Sequence, residues 1–124
     1  MRVLFLDDMQ ERHAHAHHWF PDGAVIVPAH NAAECIGLYF LHQNGYDPFD
    51  LVSLDHDLGE RWDGRSVVSA LLVLHDRLEL PKPLFAIHSW NIPCAEQMWW
   101  KLQQAGFEVV REPFAPEAYL ALDP

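Results

Sequence analysis

Short apolar runs alternate with longer segments of mixed polarity along the whole chain. The short runs, several with β-branched residues, are typical of buried strands and predict strands at residues 2–6, 24–27, 50–54, 84–87 and 107–110. The first longer segment, residues 9–20, is polar and rich in histidine, and we expect it to be helical. Apolar residues on a roughly helical period predict further helices at residues 31–44, 65–78 and 93–105, with a last helical turn or two at 116–122.

Residues that suit helix ends support these boundaries. Asn31 is in position to cap the second helix, and Glu34 follows three residues later. Gly106 follows the fourth helix, where glycine commonly ends one. Strands and helices therefore alternate, which favours an α/β fold with a parallel sheet covered by helices on both faces. The 124 residues fit a single domain, 1–124, without a linker or repeat.

The composition of the chain argues against some classes of binding partner. The formal net charge of -10 argues against broad binding of duplex nucleic acid, whereas a small phosphorylated ligand could still bind through a metal ion. Every apolar stretch is interrupted by charge, histidine or proline, so we expect no membrane span. The N-terminal apolar run is too short for a signal peptide and ends in two acids, and the two cysteines lack a CxxC spacing. A cytoplasmic protein with reduced cysteines is the expectation.

Chemically capable residues follow three of the predicted strands directly. These strand-end segments are Asp7-Asp8, Asp55-His56-Asp57 and His88-Ser89-Trp90-Asn91. Because ligands bind beyond the carboxyl ends of strands in open α/β sheets, we expect these side chains to converge. Each acid could instead cap the following helix, but that would not explain paired acids. Crowded carboxylates repel one another without a cation, so the pattern predicts a divalent-metal site of Mg²⁺ or Mn²⁺ type.

Several nearby residues have two interpretations. His56 and His88 favour Mn²⁺ or another transition ion over Mg²⁺. His13 and His17, four residues apart, form either a chelating pair or part of a solvated helix surface, and the second is favoured. Arg12, one helical turn after Asp8, is either a phosphate clamp or a surface ion pair. Trp90 lies inside a strand-end segment, where it could stack on a base.

Almost the whole chain, residues 2 to about 114, resembles the receiver domain of bacterial response regulators. The matching features are the acidic pair Asp7-Asp8, the phosphoacceptor position Asp55, the Asp63-Gly64 pair that opens a helix, and Pro113-Phe114 after the fifth strand. The resemblance implies a receiver-like (flavodoxin-like) three-layer sandwich with a five-stranded parallel sheet.

The departures from ordinary receivers point to one branch of that family. Glu112, preceded by Arg111, replaces the usual lysine, and receivers lack the His56-Asp57 extension and the His88-Ser89-Trp90-Asn91 segment. With Arg12 and the Leu54-to-Gly59 segment, this set is similar to the cyclic-phosphate processing receiver domain family. The resemblance implies a metal-dependent phosphoesterase that acts on a cyclic phosphate, such as a cyclic nucleotide or a 2′,3′-cyclic phosphate end.

The hypothesis assigns a role to each candidate. Asp8, Asp55 and Asp57 bind the divalent ions, with Asp7 as a further ligand or a base. His56 or His88 is the general acid, and Asp55 is either a metal ligand or a nucleophile. Phosphate oxygens are held by Arg12, Ser89 and Asn91. The alternative function is a non-catalytic receiver-like signalling module that binds a metal and a phosphorylated ligand or partner, and a pure interaction domain would leave the acids unexplained.

Overall fold

Five parallel strands form the centre of the computed structural model, which describes residues 1–45, 47–89 and 91–111. The strands are β1 (Arg2–Leu6), β2 (Val25–Ala29), β3 (Leu51–Leu54), β4 (Leu84–Ile87) and β5 (Val109–Val110). The helices are α1 (Gln10–His15), followed by a 3₁₀ turn at Ala16–His18, and α2 (Ala32–Gln43), α3 (Gly64–Arg77) and α4 (Ile92–Gln104). The sheet order is β2-β1-β3-β4-β5, with every pair parallel. The predicted five-stranded parallel α/β fold is confirmed.

The sheet has one larger and one smaller apolar layer. Because side chains alternate between the faces of a strand, Leu4 and Leu6 of β1 belong to the core shared with α2, α3 and α4. Phe5 belongs to a second cluster with Ala16 and the partly buried Trp19, from the segment after α1. The described residues therefore cover both faces of the sheet, as the sequence predicted.

Three boundaries differ from the predictions by more than one residue. Strand β2 continues through Pro28 to Ala29, because it is an edge strand whose outer side needs no donated hydrogen bond. The first helix ends at His15 and tightens into the 3₁₀ turn. Strand β5 is shorter than predicted because the Phe107 N–H still donates to the Leu102 carbonyl at 3.1 Å, after Gly106 turns the chain at φ +88°. The helical turn predicted at 116–122 lies outside the described residues.

The described helices are short. The longest, α3, has 14 residues, whereas an apolar helix needs about 20 to cross a bilayer. No helix in the described part of the chain is long and apolar enough to do so. Both cysteines are free thiols, Cys35 buried and Cys94 half-buried.

Candidate metal centre

Strand register brings three chemically capable residues side by side. Leu6 pairs with Leu54, and Leu54 pairs with Ile87. The residues that follow these, Asp7, Asp55 and His88, therefore continue neighbouring strands by one position. The ladder extends with them, because the Asp55 N–H donates to Leu6 at 3.1 Å and the His88 N–H donates to Leu54 at 3.0 Å.

The three side chains form one compact buried group. A carboxylate oxygen from each of Asp7 and Asp55 and a ring nitrogen of His88 all lie within 4.8 Å of one another. His88 Nε2 is 3.1 Å from Asp7 Oδ2. Arg12 points back from α1 and places its Nη1 atom 3.2 Å from Asp7 Oδ2 and 3.7 Å from Asp55 Oδ2. One guanidinium thus faces two buried carboxylates.

A serine holds the other side of the His88 ring. Ser53 Oγ lies 2.7 Å from His88 Nδ1, and the ring stacks on Phe5 with a centroid distance of 5.0 Å. A hydroxyl can donate or accept, so Ser53 supports both neutral tautomers of His88. In one tautomer Nε2–H donates to Asp7; in the other Nδ1–H donates to Ser53 and the Nε2 lone pair is free for a metal ion.

The pKa values of the two buried carboxyl groups are shifted in opposite directions. Burial raises the pKa of Asp55 to about 8, together with the Asp7 carboxylate, against the opposing effect of Arg12. Burial also acts to raise the pKa of Asp7, but the hydrogen bonds from His88 and the Met9 N–H and the charge of Arg12 bring it below its usual value. Burial lowers the pKa of His88 in spite of Asp7, so a neutral imidazole faces an ionised Asp7. Asp55 is the carboxylate that lacks sufficient positive charge.

This donor set suits a divalent cation. Two carboxylates and one neutral imidazole are ligand types of Mg²⁺, Mn²⁺ and related ions. A bound cation would supply the positive charge that Asp55 lacks. The described group can therefore hold a metal through Asp7, Asp55 and His88.

The predicted four-carboxylate cluster does not assemble in the described structure. Asp8 and Asp57 are both exposed and do not belong to the buried group. The Asp57 side chain is 70% exposed, and its Oδ1 atom lies 2.8 Å from His56 Nδ1. Side chains alternate along an extended chain, so Asp8, which follows the inward-facing Asp7, faces elsewhere, whereas Asp57 lies in the loop beyond β3. The roles of Asp8 and Asp57 as ligands remain predictions.

His56 also turns away from the carboxylates. Its Nε2 atom is 3.1 Å from Asp63 Oδ2, at the start of α3, without hydrogen-bond geometry. Only its backbone reaches the group, through an N–H that donates to Asp55 Oδ1 at 2.8 Å. The imidazole therefore ties the β3–α3 loop to the start of α3, and the predicted general-acid role has no described contact with Asp7 or Asp55.

The predicted phosphate-binding residues lie at the start of α4. Ser89 is buried, and its Oγ accepts from the Asn91 N–H at 3.1 Å. The Asn91 side chain accepts from the Cys94 N–H at 3.4 Å and caps α4. Both polar groups therefore shape the turn after β4, while Trp90 lies outside the described residues. Phosphate binding by Ser89, Asn91 and Arg12 remains a prediction.

The histidines after β1 divide into two places. The ring of His13 contacts Phe5 edge-on and lies 4.2 Å from the ring of His30, and its Nε2 atom is 2.6 Å from the Asp7 carbonyl. His17 lies in the 3₁₀ turn and its ring is 3.9 Å from that of His18. The helix ends between them, and no described contact joins the predicted His13–His17 pair.

The helix caps come from other residues. In the described helices, side-chain caps are provided by Asn31 for α2, Asp63 for α3 and Asn91 for α4, whereas α1 has none. The Asn31 cap is confirmed. The strand-end acids Asp7 and Asp55 are therefore not explained by helix capping, and the alternative considered for them is wrong.

Sequence reasoning missed Ser53, which lies in the middle of β3. A polar residue in the otherwise apolar Leu-Val-Ser-Leu run was the available signal, because its side chain had to face a polar partner. That partner is His88, which lies on the same side of the neighbouring strand.

Comparisons with known proteins agree with this fold. The profile of the family described as the Cyclic-phosphate processing Receiver domain matches residues 2–104. No curated protein gives a significant match. The chain is similar to the chemotaxis protein CheY4 of Vibrio cholerae, with 20% identity, a TM-score of 0.59, and coverage of 97% of this chain and 92% of that one. It is also similar to the receiver domain of the histidine kinase CKI1 from Arabidopsis thaliana complexed with Mg²⁺, with 17% identity, a TM-score of 0.67, and coverage of 98% and 90%.

Proposed function

Because the chain belongs to the cyclic-phosphate processing receiver domain family, we propose that it is a metal-dependent phosphoesterase that opens a cyclic phosphate. The observation that carries the proposal is the buried group of Asp7, Asp55 and His88, with Arg12 beside both carboxylates. A site for phosphoryl chemistry needs a cation against the phosphate and a fixed donor near it. Asp7, Asp55 and His88 provide ligands for the cation, and the guanidinium of Arg12 provides the donor.

Asp7, Asp55 and His88 would hold the ion. The ion supplies Lewis-acid polarisation of a phosphoryl oxygen and lowers the pKa of a water molecule. That Mg²⁺ accompanies the CKI1 receiver domain supports an ion of this class on the same fold. Mg²⁺ or Mn²⁺ is therefore the proposed cofactor, and the imidazole ligand favours Mn²⁺.

When a cation neutralises Asp55, Arg12 can also bind a phosphate group. Its Nη1 atom is 3.7 Å from Asp55 Oδ2, and the side chain is 17% exposed. A guanidinium presents several donors to phosphate oxygens. We therefore propose that Arg12 orients the phosphate, together with Ser89 and Asn91, which lie at the same edge of the sheet.

His88 acts as a ligand rather than as a general acid in this proposal. Its ring is buried, with Nδ1 against Ser53 and Nε2 facing Asp7 inside the group of ligands. A proton donor to a leaving group has to reach that group directly or through one water. The Ser53 and Asp7 contacts instead fix the orientation of the ring, and a cation at Nε2 would select the tautomer in which Nδ1–H donates to Ser53.

The test is turnover of a panel of cyclic phosphates. Purified protein is incubated with Mn²⁺ or Mg²⁺ and with cyclic mononucleotides or 2′,3′-cyclic nucleotides, and the monoester product is separated by chromatography. We expect product that requires the metal and disappears in Asp55→Asn. The matched control is Asp76→Asn, which removes an exposed carboxylate from α3 and leaves the rate unchanged.

Two results would contradict the proposal. The first is an Asp55→Asn variant with full activity. The second is metal binding without product from any substrate. In the second case, stable phosphorylation of Asp55 by acetyl phosphate would favour the alternative, a receiver-like signalling module.

A further inference from the structure

A groove separates the first halves of α2 and α3, next to the β3–α3 loop. Its volume is about 570 Å³. Apolar side chains of both helices and the indole of Trp62 form its walls, with Ala32, Ile36, Trp62, Ser66 and Ala70 among the lining residues. This volume falls within the range of about 300–1,000 Å³ that small-molecule pockets occupy. The groove is large enough for a nucleobase and its ribose.

Trp62 is the prominent feature of this groove. Its side chain is 56% exposed although it is large and apolar, and the guanidinium carbon of Arg61 lies 5.0 Å from its ring centroid. Exposed indole rings with a neighbouring arginine are platforms on which nucleobases stack. Among the described residues, Trp62 belongs to neither of the two apolar core clusters, so core packing there does not explain its size at this position.

Positive charge is concentrated beside Trp62. A second depression shares Trp62 with the groove and is lined by Arg61, Arg65 and Lys101. Asp63 is the acidic side chain among its lining residues, and it already pairs with Arg65 at 3.4 Å. The whole chain has only 8 lysines and arginines and a net charge of -10, so three cations here are an unusual local excess. They complement an anion such as a phosphate.

The loop that carries Asp55 also forms one wall of the groove. At Gly59 the backbone has φ +67°, and a Cβ there would lie 3.1 Å from Asp8 Oδ2, so the loop passes close to the strand-end acids. One residue later, Glu60 Oε1 accepts from the Ala32 N–H at 3.0 Å, which ties the loop to the start of α2. The path from the candidate metal centre to Trp62 is therefore a single short, anchored segment.

We propose that the α2–α3 groove binds the base of a nucleotide whose cyclic phosphate is held at Asp7, Asp55 and His88. The inference rests on the proposed function and narrows its substrate class to nucleotides, as opposed to base-free cyclic phosphates of sugars or glycerol. Trp62 provides the stacking surface, and the positive charge of Arg61, Arg65 and Lys101 attracts the anionic nucleotide to this side of the protein.

Binding without turnover is the first test. Adenosine 5′-phosphate is titrated by calorimetry into the metal-free protein in EDTA. Trp62→Ala is expected to weaken binding by about 5-fold to 100-fold, the usual loss for one stacked base, and Trp62→Phe to retain most of the affinity. Trp100→Ala is the matched control, because Trp100 is 59% exposed but lines a different depression, with Glu96 and Arg111. Absence of binding by the wild-type protein, or equal losses in Trp62→Ala and Trp100→Ala, would overturn the proposal.

Turnover then separates this inference from the proposed function. With Mn²⁺, Trp62→Ala is expected to raise KM for adenosine 2′,3′-cyclic phosphate and to leave KM for glycerol 1,2-cyclic phosphate unchanged. An equal effect on both substrates would overturn the base-binding role while the phosphoesterase stands. Trp62-dependent nucleotide binding without turnover of either substrate would refute the phosphoesterase and retain the groove as a nucleotide site.

Discussion

Replacing Asp55 by asparagine should stabilise the metal-free protein, although it should abolish metal-dependent activity. The side chain of Asp55 is 6% exposed, and burial beside Asp7 raises its pKa from 3.8 to about 8. At 1.36 kcal/mol for each pH unit between those values, ionising Asp55 at high pH costs the folded state at most about 6 kcal/mol. Asparagine has nearly the same shape and avoids this cost because it does not ionise.

The sign of the pH dependence follows from proton binding. Between pH 4 and pH 8 the folded protein retains a proton on Asp55 that the unfolded chain has released, so this group makes the wild type less stable as the pH rises. Below pH 4 both states are protonated, and above pH 8 both are ionised. The stability difference between Asp55→Asn and wild type should therefore be small at pH 4, grow through this window, and level off above it.

Thermal unfolding in EDTA at pH 4 and pH 9 measures this difference. We expect Asp55→Asn to exceed the wild type by about 2 to 6 kcal/mol at pH 9, where 1 kcal/mol corresponds to about 4 °C in Tm for a domain of this size. Added Mn²⁺ should then raise the Tm of the wild type but not that of the variant, because only the wild type gains a ligand that binds the folded state. Asp76→Asn serves as the control for loss of an exposed carboxylate.

An Asp55→Asn variant that is less stable than the wild type in EDTA at pH 9 would refute this reasoning. So would a difference that is the same at pH 4 and pH 9. Either result would mean that Arg12 fully neutralises the pair of carboxylates, which would remove the main physical argument for a cation at this position.

Four further predictions test individual positions. Ser53→Ala should weaken Mn²⁺ binding by about 10-fold to 100-fold in calorimetry, because the Nδ1 partner of His88 is lost, whereas Ser53→Thr keeps the hydroxyl and the affinity. Asp57→Asn should leave Mn²⁺ affinity unchanged, since this carboxylate is exposed and contacts His56; a loss would restore the four-carboxylate arrangement expected from the sequence. Gly64→Ala should lower the free energy of unfolding by about 1–3 kcal/mol in urea, because its Cβ would lie 2.3 Å from the Asp55 carbonyl oxygen. Gly37→Ala, whose Cβ meets nothing within 4 Å, should instead stabilise α2.

The sequence by itself determined the class of fold and the edge where the chemistry lies. Alternating strands and helices require a parallel sheet, and the carboxyl ends of parallel strands meet at one edge. The positions of Asp7, Asp55 and His88 directly after apolar runs were therefore enough to predict that they converge. The helix cap at Asn31 could also be predicted from the sequence, because it depends on residues only three positions apart.

Only the tertiary structure decided which member of each acidic segment enters the site. Asp7 and Asp8 are adjacent in the sequence, as are Asp55 and His56, and a shift of one residue moves a side chain to the other face of a strand. The register of β1, β3 and β4 selects Asp7, Asp55 and His88 and leaves Asp8 exposed, whereas Asp57 lies beyond the strand ladder, in the β3–α3 loop, and is also exposed.

The surroundings of the site likewise depend on packing between distant segments. Ser53 meets His88 across 35 residues, and the α2–α3 groove exists only because two helices from different parts of the chain lie side by side. No local sequence pattern predicts which distant segments meet, because this depends on how the whole core packs. The sequence therefore located the chemistry at one edge of the sheet, whereas the packed structure selected its ligands and revealed the groove beside them.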